Sequence, residues 1–73
     1  MENSDFELNF SPERRKLEHL LVREAQKAIS ELEDVPEEEK RIQCMMWEDY
    51  LRLYERAYSR YHNKCSELLM LSN

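Results

Sequence analysis

The sequence predicts an all-α fold, namely a two-helix antiparallel hairpin with a long second helix. Alanine, glutamate, lysine, leucine and arginine make up about half of the 73 residues, which is typical of long helices. Glycine is absent, which disfavours hairpin-rich β folds and phosphate-binding loops. Apolar residues recur at helical spacing in two segments. Because one small core stabilises so short a chain only weakly, we expect dimerisation or a partner to complete a bundle or coiled coil.

Residues 1–10 are expected to form an extended or flexible N-terminal tail. Phe6, Leu8 and Phe10 alternate with polar residues, a pattern that predicts an extended segment with one apolar face. The tail is too short to form a sheet alone. Two alternatives remain open: it packs on the helices of its own chain, or it serves as a linear motif for a partner.

A first helix is predicted at about 12–34. Ser11 can cap it, Pro12 suits the first helical position, and Glu13 lies at the positive end of the helix dipole. Apolar side chains then recur at spacings of three and four, and we expect this stripe to pack against the second helix. The stripe contains Leu17, Leu20, Leu21, Ala25, Ala28, Ile29 and Leu32.

A second helix is predicted at about 36–71, so that residues 11–73 form one helical hairpin. Val35 precedes Pro36 and is thereby biased away from helical geometry, which ends the first helix. No proline or glycine interrupts the chain after Pro36. With a turn near Val35, the numbers of facing residues sum to about 70. A kink within one long helix is the alternative, and the lack of glycine at the turn favours it.

The second helix carries an aromatic seam that is the candidate partner-binding surface. Its residues follow the alternating three-and-four spacing of a heptad repeat from Cys44 onward. A first helix that starts at Pro12 covers the second only to about Tyr58, so the seam beyond that point should contact a second copy or another protein. The tail is the alternative cover. The candidate binding residues are Trp47, Leu51, Tyr54, Tyr58, Tyr61, Cys65 and Leu68. A second, shorter stripe contains Ile42, Met46, Tyr50, Leu53 and Ala57.

Charge is distributed unevenly along the chain. Residues 1–40 hold 12 acidic and 6 basic residues, whereas residues 41–73 hold 4 and 5. The candidate acidic docking elbow consists of Glu31, Glu33, Asp34, Glu37, Glu38 and Glu39. A row of like charge follows on the second helix at Arg52, Arg56, Arg60 and Lys64. We expect Glu18 to face Arg52 and Glu13 to lie near Arg56, with an acidic partner surface as the alternative.

The reactive residue types do not form a recognisable catalytic or metal site. Cys44 and Cys65 lie about 31 Å apart on one helix, too far for a disulfide, which favours free thiols and an intracellular protein of cytoplasm or nucleus. His62 and Cys65, three positions apart, are too few ligands for zinc within one chain, and a second chain would have to complete such a site. We expect no cofactor, no metal ion and no catalysis. No apolar run is long enough to span a membrane, and the acidic balance disfavours nucleic acid.

The sequence therefore favours a non-catalytic protein–protein interaction module, an assembly subunit or adaptor that uses the aromatic seam. Its partner would be another protein or a second copy of the chain. The alternative is a small acidic regulator or inhibitor that docks the elbow, Glu31–Glu39, into a basic site of a target protein. If the elbow has no binding role, it is simply a solvated turn between two helices.

Overall fold

A computed structural model describes residues 9–71 and shows two α-helices with no strand in that range. Helix α1 spans Pro12–Ser30 and helix α2 spans Glu37–Leu71. The two helices pack side by side in opposite directions, which confirms the predicted all-α hairpin. Within residues 9–71, neither helix combines the length and the apolar character that crossing a bilayer requires.

Helix α1 begins as its sequence predicts but ends four residues early. Ser11 is extended, and its Oγ accepts a hydrogen bond of 3.1 Å from the backbone N–H of Arg14. At the other end, the N–H of Glu31 bonds to carbonyls of the last turn at 3.1 and 3.3 Å. Three acids at positions 31, 33 and 34 would stand at the negative end of a longer helix, which disfavours the predicted extension to 34.

The turn between the helices is built without glycine and without a left-handed residue. None of the residues 9–71 has a positive φ angle, so the missing glycine does not prevent a hairpin. Pro36 precedes α2, and its carbonyl accepts a bond of 3.1 Å from the N–H of Lys40. Helix α2 then continues for 35 residues, about 52 Å at 1.5 Å per residue. It extends well past the start of α1, and the longest dimension of the molecule is 58 Å.

The register of the hairpin agrees with the prediction, but the face that α1 turns inward does not. Arg15 contacts Glu55 and Gln26 contacts Cys44, so facing numbers sum to about 70 as expected. The buried side chains of the hairpin are Glu18, Val22 and Leu51. The expected core residues of α1 are instead about half exposed, at 44% for Leu17, 57% for Leu20 and 51% for Leu21.

The rotation of α1 has a physical cause. Glu18 and Val22 lie one turn apart on the same side, and that side faces α2. A carboxylate can occupy such a position only when its oxygens are bonded, and Arg14 and Tyr50 supply those bonds. The prediction that the whole apolar stripe of α1 packs on α2 is therefore wrong for its leucines.

Candidate protein-interaction surface

One side of the hairpin, the polar face, is closed by side chains that bridge the two helices. Glu55 accepts bonds of 2.7 and 2.9 Å from Nη2 and Nε of Arg15 and lies 2.9 Å from Nε2 of His19. The hydrogen bonds from Arg15, followed by the contact with His19, lower the pKa of Glu55 to about 2. Glu55 therefore stays ionised and holds α1 at the end distant from the turn.

The polar face continues toward the turn through Glu48. Its carboxylate accepts a bond of 2.9 Å from Nε2 of Gln26 and is paired with Arg23. These two contacts, the bond from Gln26 first, lower the pKa of Glu48. Gln26 also donates to the carbonyl of Cys44 at 3.2 Å. The polar face comprises Arg15, His19, Arg23, Gln26, Cys44, Glu48 and Glu55.

The opposite side, the open face, is an apolar groove between the same two helices. Val22 lies at its floor, while Arg14, Glu24 and Gln43 contribute its polar lining. Several side chains that line the groove are substantially exposed, among them Met46 at 58% and Tyr50 at 43%. The apolar lining consists of Leu21, Val22, Ala25, Ala28, Met46, Trp47 and Tyr50. The groove is therefore a continuous apolar surface in contact with solvent.

A buried carboxylate lies within this groove. Glu18 is only 4% exposed, and Nε of Arg14 donates to it at 2.8 Å. The hydroxyl of Tyr50 donates to its other oxygen, and this bond, followed by burial, raises the pKa of Tyr50. No buried side-chain oxygen or nitrogen within residues 9–71 lacks a partner. The Glu18–Tyr50 bond therefore joins the helices on the open face without leaving an unsatisfied charge.

The end of the N-terminal segment extends the open face past the start of α1. The ring of Phe10 stacks on Tyr54 and Tyr61 with centroid distances of 5.8 and 5.1 Å. The Tyr54 hydroxyl donates to the carbonyl of Asn9 at 2.6 Å, and Nε2 of His62 lies 2.6 Å from the carbonyl of Phe10. Burial raises the pKa of Tyr54. Intramolecular cover by the tail is thus realised at Phe10, whereas Phe6 and Leu8 lie outside the described residues.

The structure separates the residues of the aromatic seam. Leu51 is only 5% exposed because it packs inside the hairpin, so it is not available to a partner. Tyr58 lies between His62, at a ring distance of 4.3 Å, and the guanidinium of Arg15, at 5.3 Å. Tyr54 and Tyr61 lie against Phe10, and Cys65 is half-buried. Trp47, on the open face, and Leu68 are the most exposed residues of the seam.

The second stripe of α2 supplies more of the open face than the seam does. Met46 and Tyr50 line the main groove, and Leu53 and Ala57 line its continuation beside Phe10. The spacing of these residues predicts a second stripe on α2, but the predicted partner-binding surface includes only the seam. The signal was present, since a helix packed on a single neighbour needs only one of its two stripes.

The acidic elbow projects into solvent at the turn. Glu37 pairs with Lys40 at 3.4 Å, and Glu38 pairs with Arg41. Within residues 9–71, the other four acids form no ion pair. These are Glu31, Glu33, Asp34 and Glu39, and all four are exposed.

The basic row lies on the outer side of α2 and is only partly neutralised. Arg52 pairs with Asp49 at 3.3 Å and Lys64 with Glu67 at 3.7 Å. Neither Arg56 nor Arg60 pairs with an acid of the described residues. The predicted pair of Glu18 with Arg52 does not form, because Glu18 turns inward to Tyr50. The predicted pair of Glu13 with Arg56 does not form either.

The described residues contain no group of three or more potential metal ligands. Cys44 and Cys65 are free thiols. Nε2 of His62 is engaged by the carbonyl of Phe10 rather than directed to Cys65. No protein-family model, curated protein or solved structure matches this chain, so its surface alone supports a functional proposal.

Proposed function

We propose that the protein is a non-catalytic protein–protein interaction module, an assembly subunit or adaptor whose open face receives an α-helix. One observation carries the proposal. Among residues 9–71, only Val22 and Leu51 are buried apolar side chains, and four exposed large ones lie together in the groove, namely Leu21, Met46, Trp47 and Tyr50. Water-soluble monomers rarely leave a contiguous apolar surface of this kind uncovered.

The shape of the open face suits a helix as its occupant. Ala25 and Ala28 form a low wall along α1, whereas Met46, Trp47 and Tyr50 form a high wall along α2. Small side chains allow a third backbone to approach closely, and large ones supply the apolar area that anchors it. A helix laid along such a groove would present residues at spacings of three and four.

The polar face supports the same proposal by contrast. Its ion pairs satisfy both helices on that side, so it offers little apolar area to a partner. A partner should therefore select the open face, which makes the proposal specific to one side of the hairpin.

Two adjacent methionines provide a matched test. Met45 and Met46 are 59% and 58% exposed, but only Met46 lines the groove, since consecutive helical residues point about 100° apart. We expect Met46→Glu to weaken association with a partner or a second copy by at least about tenfold, while Met45→Glu changes it less than about twofold. Quantitative affinity capture and sedimentation measure both. Equal effects of the two substitutions would overturn the proposal.

A second candidate function is a small acidic regulator that docks its elbow into a basic site. The four unpaired acids at the turn favour it. That association would weaken steeply with added salt and would be unaffected by Met46→Glu, because charge rather than apolar area would hold the complex. The methionine pair therefore separates the two candidates.

A further inference from the structure

Opposite charges are concentrated at the two ends of this elongated molecule. Residues 31–39 contain six acids and no base, whereas residues 52–64 contain four bases and one acid. At the acidic end, four carboxylates have no ion pair within residues 9–71. Along the basic row, Arg56 and Arg60 lack one in the same range. Each end therefore carries charge that a complementary surface could neutralise.

The open face has a natural centre at the level of Tyr50. Its α2 side extends from Gln43 to Ala57, with Tyr50 midway between them. On α1, Leu21 lies at about the same level, because facing numbers sum to about 70. Consider a twofold axis at this level that lies in the plane of the face and runs perpendicular to the helices. It would pack the open faces of two copies against each other with their helices antiparallel.

The reversed arrangement pairs a large residue with a small one at two of the levels named below and packs two large side chains against each other at a third. The numbers of facing α2 residues in the two copies then sum to about 100, so Gln43 of one copy meets Ala57 of the other, and Met46 meets Tyr54. On α1 the corresponding sum is about 42, which places Arg14 opposite Ala28. Such alternation allows two faces to interdigitate.

The same axis brings the acidic end of one copy to the basic end of the other. Positions 35–39 reach the level of about 61–65. Around α2, Lys64 lies about 40° and Arg60 about 80° from Tyr50, so these two bases border the open face, whereas Arg52 and Arg56 point farther away from it. A parallel arrangement would instead place elbow against elbow, and like charges would repel.

Resting on the proposed function, we infer that the helical partner is a second copy of this chain, bound antiparallel through the open face. Each acidic elbow lies against Arg60 and Lys64 of the other copy, and the product is a four-helix bundle. Ordinary specific interfaces bury about 800 Å² per partner. The molecule is 19 Å across, so a strip about 40 Å long is needed for that footprint. The open face from Gln43 to Ala57 supplies about 21 Å of this length, and the end contacts, which extend the paired region from position 35 to about position 65, supply the rest.

Paired charge reversals test the end contacts. We expect the full chain to sediment as a dimer at high micromolar concentration, and Arg60→Glu with Lys64→Glu to raise the dimer dissociation constant at least about tenfold. Glu33→Lys with Asp34→Lys should raise it similarly. All four side chains lack a buried role, so circular dichroism should show unchanged helix content.

Combining the two pairs supplies the decisive variant. The fourfold variant has the net charge of the parent chain and should regain its dimer dissociation constant within about threefold, because acid and base have only exchanged ends. Arg52→Glu with Arg56→Glu is the matched control in the same row, outside reach of the elbow, and should change dimerisation less than about threefold. Failure of the fourfold variant to recover would overturn the antiparallel contact.

The distance between spin labels on the two copies tests whether the dimer is antiparallel. A spin label at Asn63, introduced as Asn63→Cys with Cys44→Ser and Cys65→Ser, should lie about 40 Å from its counterpart in an antiparallel dimer. A parallel dimer would give less than about 25 Å and would overturn the inference. A chain that stays monomeric at high micromolar concentration would also overturn it. The proposed function would survive that result if another protein bound the parent chain and Met45→Glu but not Met46→Glu.

Discussion

The two faces of this hairpin are made by the same two helices and hold them together by different means. On the polar face, carboxylates of α2 receive hydrogen bonds from Arg15, His19 and Gln26 of α1. On the open face, one buried carboxylate of α1 is bonded by Tyr50, and the surrounding apolar surface remains in water. The polar face is complete within one chain, whereas the open face offers apolar area to another.

The difference shows how a small chain can favour one direction of association. Bridging polar groups already satisfied within the chain gain little from a partner, while exposed apolar area gains on burial. Both faces flank the same core of Val22 and Leu51. Changes at the core, on the open face and on the polar face should therefore have separable effects on stability.

The largest effect is expected at the core beneath both faces. Val22→Asp places an uncompensated charge at a fully buried position and should destabilise the hairpin by more than about 3 kcal/mol. Leu21→Asp, one residue away on the open face, should cost less than about 1 kcal/mol because Leu21 is half exposed. Urea titration followed by circular dichroism compares the two. Similar losses would place Leu21 in the core after all.

A smaller loss of stability is expected at the hydrogen bond between Tyr50 and Glu18 on the open face. Tyr50→Phe removes a donor from buried Glu18 and should cost about 1–2 kcal/mol of unfolding free energy. Replacing both partners, as Glu18→Leu with Tyr50→Phe, should restore part of that stability because no buried charge then lacks a donor. Thermal melts of the single and double variants measure the coupling. A double variant less stable than Tyr50→Phe would contradict this account of Glu18.

The smallest effect is expected on the polar face and depends on pH. Glu55 titrates at about 2 in the folded chain and near 4.3 when unfolded, so the unfolded state takes up the proton first. Its stabilising contribution is complete above about pH 5 and is lost as the pH falls toward 2. Because the pair is partly exposed, the contribution should stay below about 1 kcal/mol.

Melting temperatures measured from pH 7 to pH 2 test this contribution. Glu55→Gln should lower the melting temperature at neutral pH and reduce its dependence on pH below 5. Asp49→Asn, which removes an exposed acid of α2 that pairs only with Arg52, is the matched control and should leave the slope nearly unchanged. A slope unaltered by Glu55→Gln would exclude the Glu55 cluster as its source.

The elements of the fold could be predicted because local signals determine them. Ser11 and Pro12 define the start of α1, and Pro36 with three following acids defines the start of α2. The register of the hairpin could also be predicted, since a short turn limits how far two antiparallel helices can shift along each other. These features depend on neighbouring residues in the chain.

The inward face of α1 could not be predicted because it depends on partners distant in sequence. Periodicity favoured Leu17, Leu20 and Leu21, and no hydropathy pattern buries a glutamate. Glu18 turns inward only because Arg14 and a tyrosine 32 positions away satisfy it. Likewise, Leu51 and Met46 look alike in the pattern of α2, yet one lies inside the hairpin and the other lines the open face.

The contacts of Phe10 with α2 have a consequence for the order in which the chain folds. The contact of Lys40 with Ser30 spans 10 residues, that of Gln26 with Cys44 spans 18, and that of Phe10 with His62 spans 52. Closing a longer loop costs more chain entropy, so contacts near the turn should form first. Contacts between the helices then form first beside the elbow and last at the far end, where Phe10 packs on α2.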